Sequence, residues 1–130
     1  VGATSWRGKD SLVATFSNWG KGVVDIFAPG DDIKSTALGG GYKKESGTSM
    51  ASPVVAGVAA LVMSYYPTLT AADVKRIVLE SAHKMADVKV IRPGEDNDGP
   101  VAFGELSGTG GVVNAYNALK RAEEVSRVRP

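Results

Sequence analysis

The stretch that decides the fold is residues 46–66, which reads SGTSMASPVVAGVAALVMSYY. Its polar first part is typical of a loop, and the apolar part from Val54 onward is typical of a buried helix. We expect Ser49 at or just inside the first helical turn, where backbone N–H groups lack partners and the dipole is positive. A reacting oxyanion can be held there. Pro53 fits the same first turn, because its missing N–H would be unpaired anyway.

The helix after Pro53 is predicted to be enclosed by other elements. Residues 54–63 are apolar on every side of a helix, whereas a surface helix has a polar face. Gly57 would let a neighbouring element approach closely. A simpler interpretation is that Thr48 or Ser49 only caps a core helix, which is the common case for Thr-Ser before an apolar run.

The string Ser-Gly-Thr-Ser-Met-Ala-Ser-Pro at residues 46–53 resembles the nucleophile motif of the subtilisin-like serine proteases, the subtilases. The similarity continues at five helix positions, which are Ala56, Gly57, Ala59, Ala60 and Leu61. Other serine motifs fit less well, since Ser49 has no Gly-x-Ser-x-Gly context and no Lys three residues later. The resemblance implies that Ser49 is the nucleophile and that its backbone N–H is one oxyanion donor. The residues that support the motif are Gly47, Thr48, Met50 and Pro53.

The same resemblance implies an α/β fold with three layers and a mostly parallel sheet. Further matches are the Phe-Ser-x-x-Gly string at residues 16–20 and the Ala-Pro-Gly turn at residues 28–30. Residues 1–130 thus resemble the C-terminal half of a subtilase catalytic domain, present as a partial domain. The catalytic Asp, the catalytic His and the oxyanion-hole Asn of such a domain would lie before Val1.

The full-length protein implied by this resemblance is a serine endopeptidase that cleaves polypeptides through an acyl-enzyme on Ser49. The chain alone is expected to be inactive, because a serine nucleophile needs a base and an orienting carboxylate. Without the rest of the domain it would expose sheet edges and is expected to self-associate. The chemistry needs no cofactor, and a structural calcium ion is compatible with the family. Subtilases are usually secreted or held in the cell envelope.

Composition agrees with one globular domain. The chain has 130 residues, of which 43% are hydrophobic and 22% charged, and a net charge of +1. That charge is too small to predict a nucleic-acid partner or an anionic membrane surface. Cysteine is absent, which excludes disulfides and thiol catalysis. We expect no apolar run of membrane-spanning length, and Val1 is expected to be internal to a longer protein.

His83 is the only histidine and must be considered as a general base. Subtilases place their catalytic residues in the order Asp, His, Ser, whereas His83 follows Ser49. We expect it near the end of a surface helix, as a solvated or capping residue.

Asp25 lies inside the apolar run 23–28, where a carboxylate needs hydrogen-bond donors, a cation or a metal ion. The matching position in some subtilases lies near a weak calcium site, which makes Asp25 a weak calcium candidate. The more common solution is binding by nearby backbone amides. The acidic residues 95–98 lack the ligand spacing of a calcium loop and are expected to form an exposed turn.

Four strands are predicted, at residues 1–5, 12–16, 23–28 and 33–36, with a turn at 39–42 before the Ser49 loop. A helix follows Thr70, which forms a capping-box pattern with Asp73. A last helix is capped by Asn114 and carries an apolar stripe at Tyr116, Leu119, Ala122 and Val125.

Residues 89–107 depart from the compact family pattern and are predicted to be an insertion. Trp6 and Trp19 are candidates for the lining of a substrate cleft, although core or rim packing is more common for tryptophan.

Two other functions compete with the endopeptidase. One is a non-catalytic scaffold or interaction module that keeps the subtilase fold, and the other is an independent hydrolase that pairs Ser49 with His83. The intact string at residues 47–53 favours the endopeptidase, because a scaffold would need only a helix cap at that position.

Overall fold

The computed structural model describes residues 1–7, 12–94 and 99–128. The strands are β1 (Gly2–Thr4), β2 (Phe27–Pro29), β3 (Ile33–Ala37), β4 (Gly41–Glu45), β5 (His83–Lys84), β6 (Lys89–Ile91), β7 (Pro100–Ala102) and β8 (Gly111–Val112). The helices are α1 (Thr48–Tyr65), α2 (Ala71–Glu80) and α3 (Ala115–Val128), with a 3-10 turn at Phe103–Glu105.

The main sheet has four strands in the order β1-β2-β8-β5. The β1–β2 and β2–β8 pairs are parallel, and only β5 runs antiparallel to β8. Ala3, Phe27 and Ala28 are fully buried, as expected for strands of a parallel sheet covered on both faces. The predicted α/β fold with a mostly parallel sheet is thereby confirmed. Two antiparallel hairpins, β3–β4 and β6–β7, lie outside this sheet.

Two apolar clusters form most of the core. In the first, α1, α2 and α3 pack together through residues that include Val58, Val62, Ile77 and Ala118. The second surrounds Phe27, whose ring lies 4.9 Å from that of Phe103 between centroids. Helix α1 also contacts β1 and β2, so it joins the helical layer to the sheet.

The expectation that α1 is enclosed is wrong for this chain. Its buried residues are Ala51, Val58 and Val62, whereas Met63 is 47% exposed. A Cβ atom at Gly57 would have no atom within 4 Å in the described part of the chain. The cause is that the sheet and the other helices cover one side of α1, while its apolar surface extends all round.

Helix α1 also corrects the expectation about membrane-spanning length. With 18 residues it is long enough and apolar enough to cross a membrane, judged by length and composition alone. Core helices of globular domains meet the same criterion, and α1 packs against β1, β2, α2 and α3 as such a helix does.

For two of the four predicted strands, the predicted bounds are wrong. Residues 12–16 contribute a single bridge, between Thr4 and Val13, and no strand. In the run 23–28 the strand begins only at Phe27, because the Val24 N–H turns back to the Gly20 carbonyl. Strand β1 and strand β3 are confirmed at 2–4 and 33–37. Strand β4 was not predicted, since the exposed sequence GYKKE has no apolar alternation.

Both helix caps after α1 are confirmed. Thr70 and Asp73 form a reciprocal capping box, and the Asn117 N–H donates to Asn114 Oδ1 at 2.9 Å. The predicted stripe on α3 is wrong at Tyr116, which is 70% exposed. Ala118 is buried instead, because it lies on the same face as Ala122.

The segment 89–107 is only partly separate from the core. Strands β6 and β7 form an antiparallel hairpin, but Phe103 and Leu106 are fully buried beside Phe27. The bounds of an insertion at 89–107 therefore stay a prediction, and its second half supplies core residues. The acidic residues 95–98 lie outside the described part of the chain.

Replacing Thr70 with Ala tests the capping box of α2. We expect the free energy of unfolding in urea to fall by about 1 kcal/mol, because the Asp73 N–H loses its acceptor at 3.2 Å. The control is Thr68→Ala, which makes the same chemical change at an exposed residue outside the capping box. Equal losses in the two variants would contradict the capping role.

Candidate active site

Helix α1 begins without a side-chain cap. Its N-cap is Gly47, and Thr48 and Ser49 are its first two residues. The interpretation that Thr48 or Ser49 merely caps the helix is therefore wrong, since a capping side chain belongs to the N-cap residue. Gly47 has no side-chain acceptor to offer, so the first amides of α1 are left to the backbone or to an external group.

Ser49, the predicted nucleophile, is exposed at this helix start. The amides of Met50 and Ala51 both reach the Gly47 carbonyl, at 3.0 and 3.3 Å. Within the described residues, neither the Ser49 N–H nor the Ser49 hydroxyl has a hydrogen-bond partner. The first turn of α1 also contains no acidic residue, so its partial positive charge is not neutralised within the helix. An amide donor and a hydroxyl group are thus both free to meet a ligand.

Pro53 lies deeper in α1 than predicted. It is the sixth residue of the helix and not part of the first turn. In a regular helix the amide of residue 53 would bond to the carbonyl of Ser49, and proline has no N–H to donate. Pro53 therefore weakens the helical ladder at Ser49.

The loop before Ser49 is held against the end of β2. The Gly47 N–H donates to the Gly30 carbonyl at 2.8 Å, and the Gly30 N–H donates to the Thr4 carbonyl at 3.1 Å. A Cβ atom at Gly30 would lie 2.6 Å from Ala3 Cβ and 2.8 Å from the Gly47 oxygen. Only glycine permits this approach, which fixes the start of α1 relative to the sheet.

Asp31 joins three segments around the same loop. Its carboxylate accepts from Ser5 Oγ at 2.7 Å, from Ser46 Oγ at 2.9 Å and from Arg7 Nε at 3.1 Å. The two serine hydrogen bonds, and then Arg7, hold the pKa of Asp31 below its ordinary value. Asp31 was not among the residues predicted from the sequence. Its only signal was an acidic pair, Asp31 and Asp32, directly after a strand end.

The motif residue Thr48 has a structural contact of its own. Its Oγ1 accepts a hydrogen bond from the Asn18 N–H at 3.0 Å. This bond ties the first residue of α1 to the loop that follows residue 17. Thr48 therefore gives the helix start a second anchor besides the Gly47–Gly30 hydrogen bond.

A cleft of about 400 Å³ opens beside Ser49. One wall is the β3–β4 hairpin, and the other is the first two turns of α1. The lining residues are Ile33, Lys34, Ser35, Thr36, Lys43, Glu45, Ser49, Met50, Pro53 and Val54. Lys43 pairs with Glu45 at 2.8 Å, and this hydrogen bond lowers the pKa of the Glu45 carboxyl.

His83 lies in strand β5 and not at a helix end, since α2 ends at Glu80. Its side chain is exposed, and its backbone pairs with Val112 at the β5 edge of the main sheet. Helix α1 packs against β1 and β2, at the other edge. The structure therefore does not bring His83 to the cleft beside Ser49.

Asp25 is exposed and not buried in the run, and the cation Lys75 is its partner instead of the backbone amides that were the more common expectation. Its carboxylate is 61% exposed and lies 3.8 Å from Lys75 Nζ. The described residues hold no group of three or more His, Cys, Asp or Glu side chains that could bind a metal ion. Calcium at Asp25 stays a prediction, and the nearby ammonium opposes it.

Neither tryptophan lines the cleft beside Ser49. Trp6 is 69% exposed next to the Arg7 guanidinium. Trp19 packs beside the β6–β7 hairpin, where its Nε1 donates to the Pro93 carbonyl at 2.9 Å. Rim packing therefore describes Trp19, whereas Trp6 is mostly exposed.

Asp31→Asn tests the carboxylate that braces the loop. Because the folded pKa is lower than the unfolded one, its stabilisation is present above about pH 4 and is lost as the pH falls through the folded value. We expect Asp31→Asn to lower the melting temperature at pH 7 and to flatten its decline below about pH 4. Asp87→Asn, at an exposed carboxylate, is the control. A melting temperature that falls below about pH 4 as steeply in Asp31→Asn as in the wild type would exclude this role.

Comparison with known proteins identifies relatives of this chain. The sequence profile of the subtilase family matches residues 1–116. The chain is 49% identical over 69 residues to alkaline serine exoprotease A of Vibrio alginolyticus, which is 53% of this chain and 13% of that protein. It is 46% identical over 84 residues to proteinase R of Parengyodontium album, which is 65% of this chain and 20% of that protein.

Solved structures agree with the sequence relatives. The patellamide maturation protease PatA matches 95% of this chain with a TM-score of 0.67 and 32% identity, and the match covers 42% of that chain. The subtilase cytotoxin SubAB matches 86% of this chain with a TM-score of 0.69 and 30% identity, over 30% of its chain. This chain thus spans less than half the length of these relatives. Because the family profile matches nearly all of the chain and its fold matches these solved structures, the chain belongs to the subtilase family of serine proteases.

Proposed function

We propose that the full-length protein is a serine endopeptidase and that Ser49 is its nucleophile. The observation that carries the proposal is the exposed Ser49 at the start of α1, where its hydroxyl and its N–H have no partner among the described residues. A polypeptide substrate is the ligand that this family chemistry requires. The cleft between α1 and the β3–β4 hairpin lies directly beside the hydroxyl.

The reaction begins when Ser49 Oγ attacks the carbonyl carbon of the scissile peptide and its proton passes to a base. The carbonyl oxygen becomes an oxyanion, to which the Ser49 N–H donates at the positive end of α1. Collapse of the tetrahedral intermediate breaks the C–N bond, and the amine leaves with the proton from the base. Water then hydrolyses the ester on Ser49 and releases the acid.

The base is not provided by this chain in our proposal. Its single histidine, His83, lies on the far edge of the sheet from α1. The catalytic Asp and His and the oxyanion-hole Asn would come from the remainder of the catalytic domain. In subtilisin itself, loss of the base lowers kcat by about 10⁶-fold and loss of one oxyanion donor by about 10²- to 10³-fold, magnitudes borrowed from that enzyme. The isolated chain is therefore inactive.

An apolar groove of this chain is a surface that the remainder of the domain would cover. A groove of about 320 Å³ runs between α1 and α2, with the lining residues Val1, Asp25, Ile26, Val55, Ala56, Ala59, Met63, Ala71, Val74, Lys75 and Val78. Most of them are apolar, and covering an apolar groove stabilises the fold in proportion to the area buried. Without that cover we expect the chain to self-associate. Family membership supports export of the full-length protein, by secretion or into the cell envelope.

Labelling with a fluorophosphonate probe tests the nucleophile. We expect the full-length protein to be labelled, Ser49→Ala to abolish labelling, and the isolated chain to stay unlabelled because it lacks a base. The matched control is Ser52→Ala, which removes another exposed serine of α1 three residues later and should leave labelling intact.

Each outcome decides between the competing functions. A folded full-length protein, free of any pro-segment, that resists the probe would replace the endopeptidase by the non-catalytic scaffold. Labelling of the isolated chain would show instead that a base lies within it, which would return His83 to consideration.

A further inference from the structure

The β6–β7 hairpin is the part of the chain that the proposed function leaves without a role. It is firmly anchored at its base, where the Phe103 N–H donates to the Val88 carbonyl at 2.8 Å and the Gly104 N–H donates to the Ala86 carbonyl at 2.9 Å. Phe103 and Leu106 are fully buried directly after it. Because the hairpin is anchored in this way, it can hold a contacting segment in a fixed position.

What it touches is the loop at residues 17–20. Trp19 Nε1 donates to the carbonyl of Pro93, a buried residue of the hairpin, at 2.9 Å. The Arg92 guanidinium lies 5.1 Å from the centre of the Trp19 ring, a cation–π distance. The Gly20 N–H donates to the Leu106 carbonyl at 2.9 Å. Two consecutive residues of the loop are thus held by one structural unit.

The same loop holds the start of α1. The Asn18 N–H, one residue before Trp19, donates to Thr48 Oγ1 at 3.0 Å. Ser17 Oγ donates to the Asn18 carbonyl at 2.8 Å and accepts the Ala3 N–H at the same distance. Both peptide groups of Asn18 are therefore fixed, and Thr48 is the residue directly before Ser49.

We infer that Trp19 is a positioning residue for Ser49, held by the β6–β7 hairpin and acting through Asn18 and Thr48. The inference rests on the proposed function, because it assigns a role in placing the nucleophile. A misplaced nucleophile slows the chemical step, since reacting groups must meet in a near-attack geometry. Loss of the Trp19 contact should then reduce kcat and leave KM nearly unchanged.

The test is a double-mutant cycle in the full-length protein. Trp19→Phe removes the N–H donor and keeps an aromatic ring beside Arg92, and Thr48→Val removes the acceptor of the Asn18 N–H. We expect each variant to lower kcat and the fluorophosphonate labelling rate by about three- to tenfold, the range of one lost hydrogen bond. If Trp19 acts through Thr48, the kcat and labelling rate of the double variant should lie within about twofold of those of Thr48→Val.

The matched control is Tyr116→Phe, which also removes a polar group from an aromatic ring beside a cation, Lys120. Tyr116 is 70% exposed on α3, so we expect wild-type kinetics. Arg92→Gln, which removes the cation from the Trp19 ring, replaces Trp19→Phe in the cycle if that variant does not fold.

Three results would overturn the inference and still leave Ser49 as the labelled nucleophile. One is a wild-type kcat in the Trp19 variant, and another is a double variant whose loss is the product of the two single losses. A change in KM alone would also overturn it, because it would place Trp19 in substrate binding. If the wild-type protein itself resists labelling, the proposed function fails, and this inference fails with it.

Discussion

The close contact between Gly30 and Gly47 is the constraint on which the site depends. The Gly47 N–H donates to the Gly30 carbonyl at 2.8 Å, directly after β2 and directly before α1. A side chain at residue 30 would collide with Ala3 Cβ and with the Gly47 oxygen. The missing side chain therefore lets a buried strand end and a helix start share one hydrogen bond. Ser49 owes its fixed place relative to the sheet to that bond.

Charge is distributed around this junction in a way that leaves the helix end positive. The carboxylate of Asp31, which is 11% exposed, is already engaged by Ser5, Ser46 and Arg7. Its negative charge is therefore satisfied within the loops and not at the Ser49 amide. A helix N-terminus without an acidic residue in its first turn stabilises a developing negative charge on a bound group.

Helix α1 has to serve two surfaces at once. Val58 and Val62 bury it against α2 and α3, and Ala51 buries it against the sheet, while Met63 and the neighbourhood of Gly57 remain open. An amphipathic helix such as α2 buries its apolar face and exposes its polar face to solvent. A helix that is apolar on all sides buries its surface only when other elements surround it. The stability of this chain therefore depends on further packing against α1.

The sequence by itself determined the family, with the mostly parallel sheet that the family implies, the nucleophile candidate and the caps at Thr70 and Asn114, because motifs and caps depend on local residue types and spacing. Only the tertiary structure decided the contacts of Asp31 and Trp19, whose partners lie 15–26 and 74 residues away in the chain. It also decided that Asp25 and Tyr116 are exposed, since a two- or three-residue periodicity does not say which side of an element will be covered. Contacts between distant segments form through chain topology, and no local pattern encodes them.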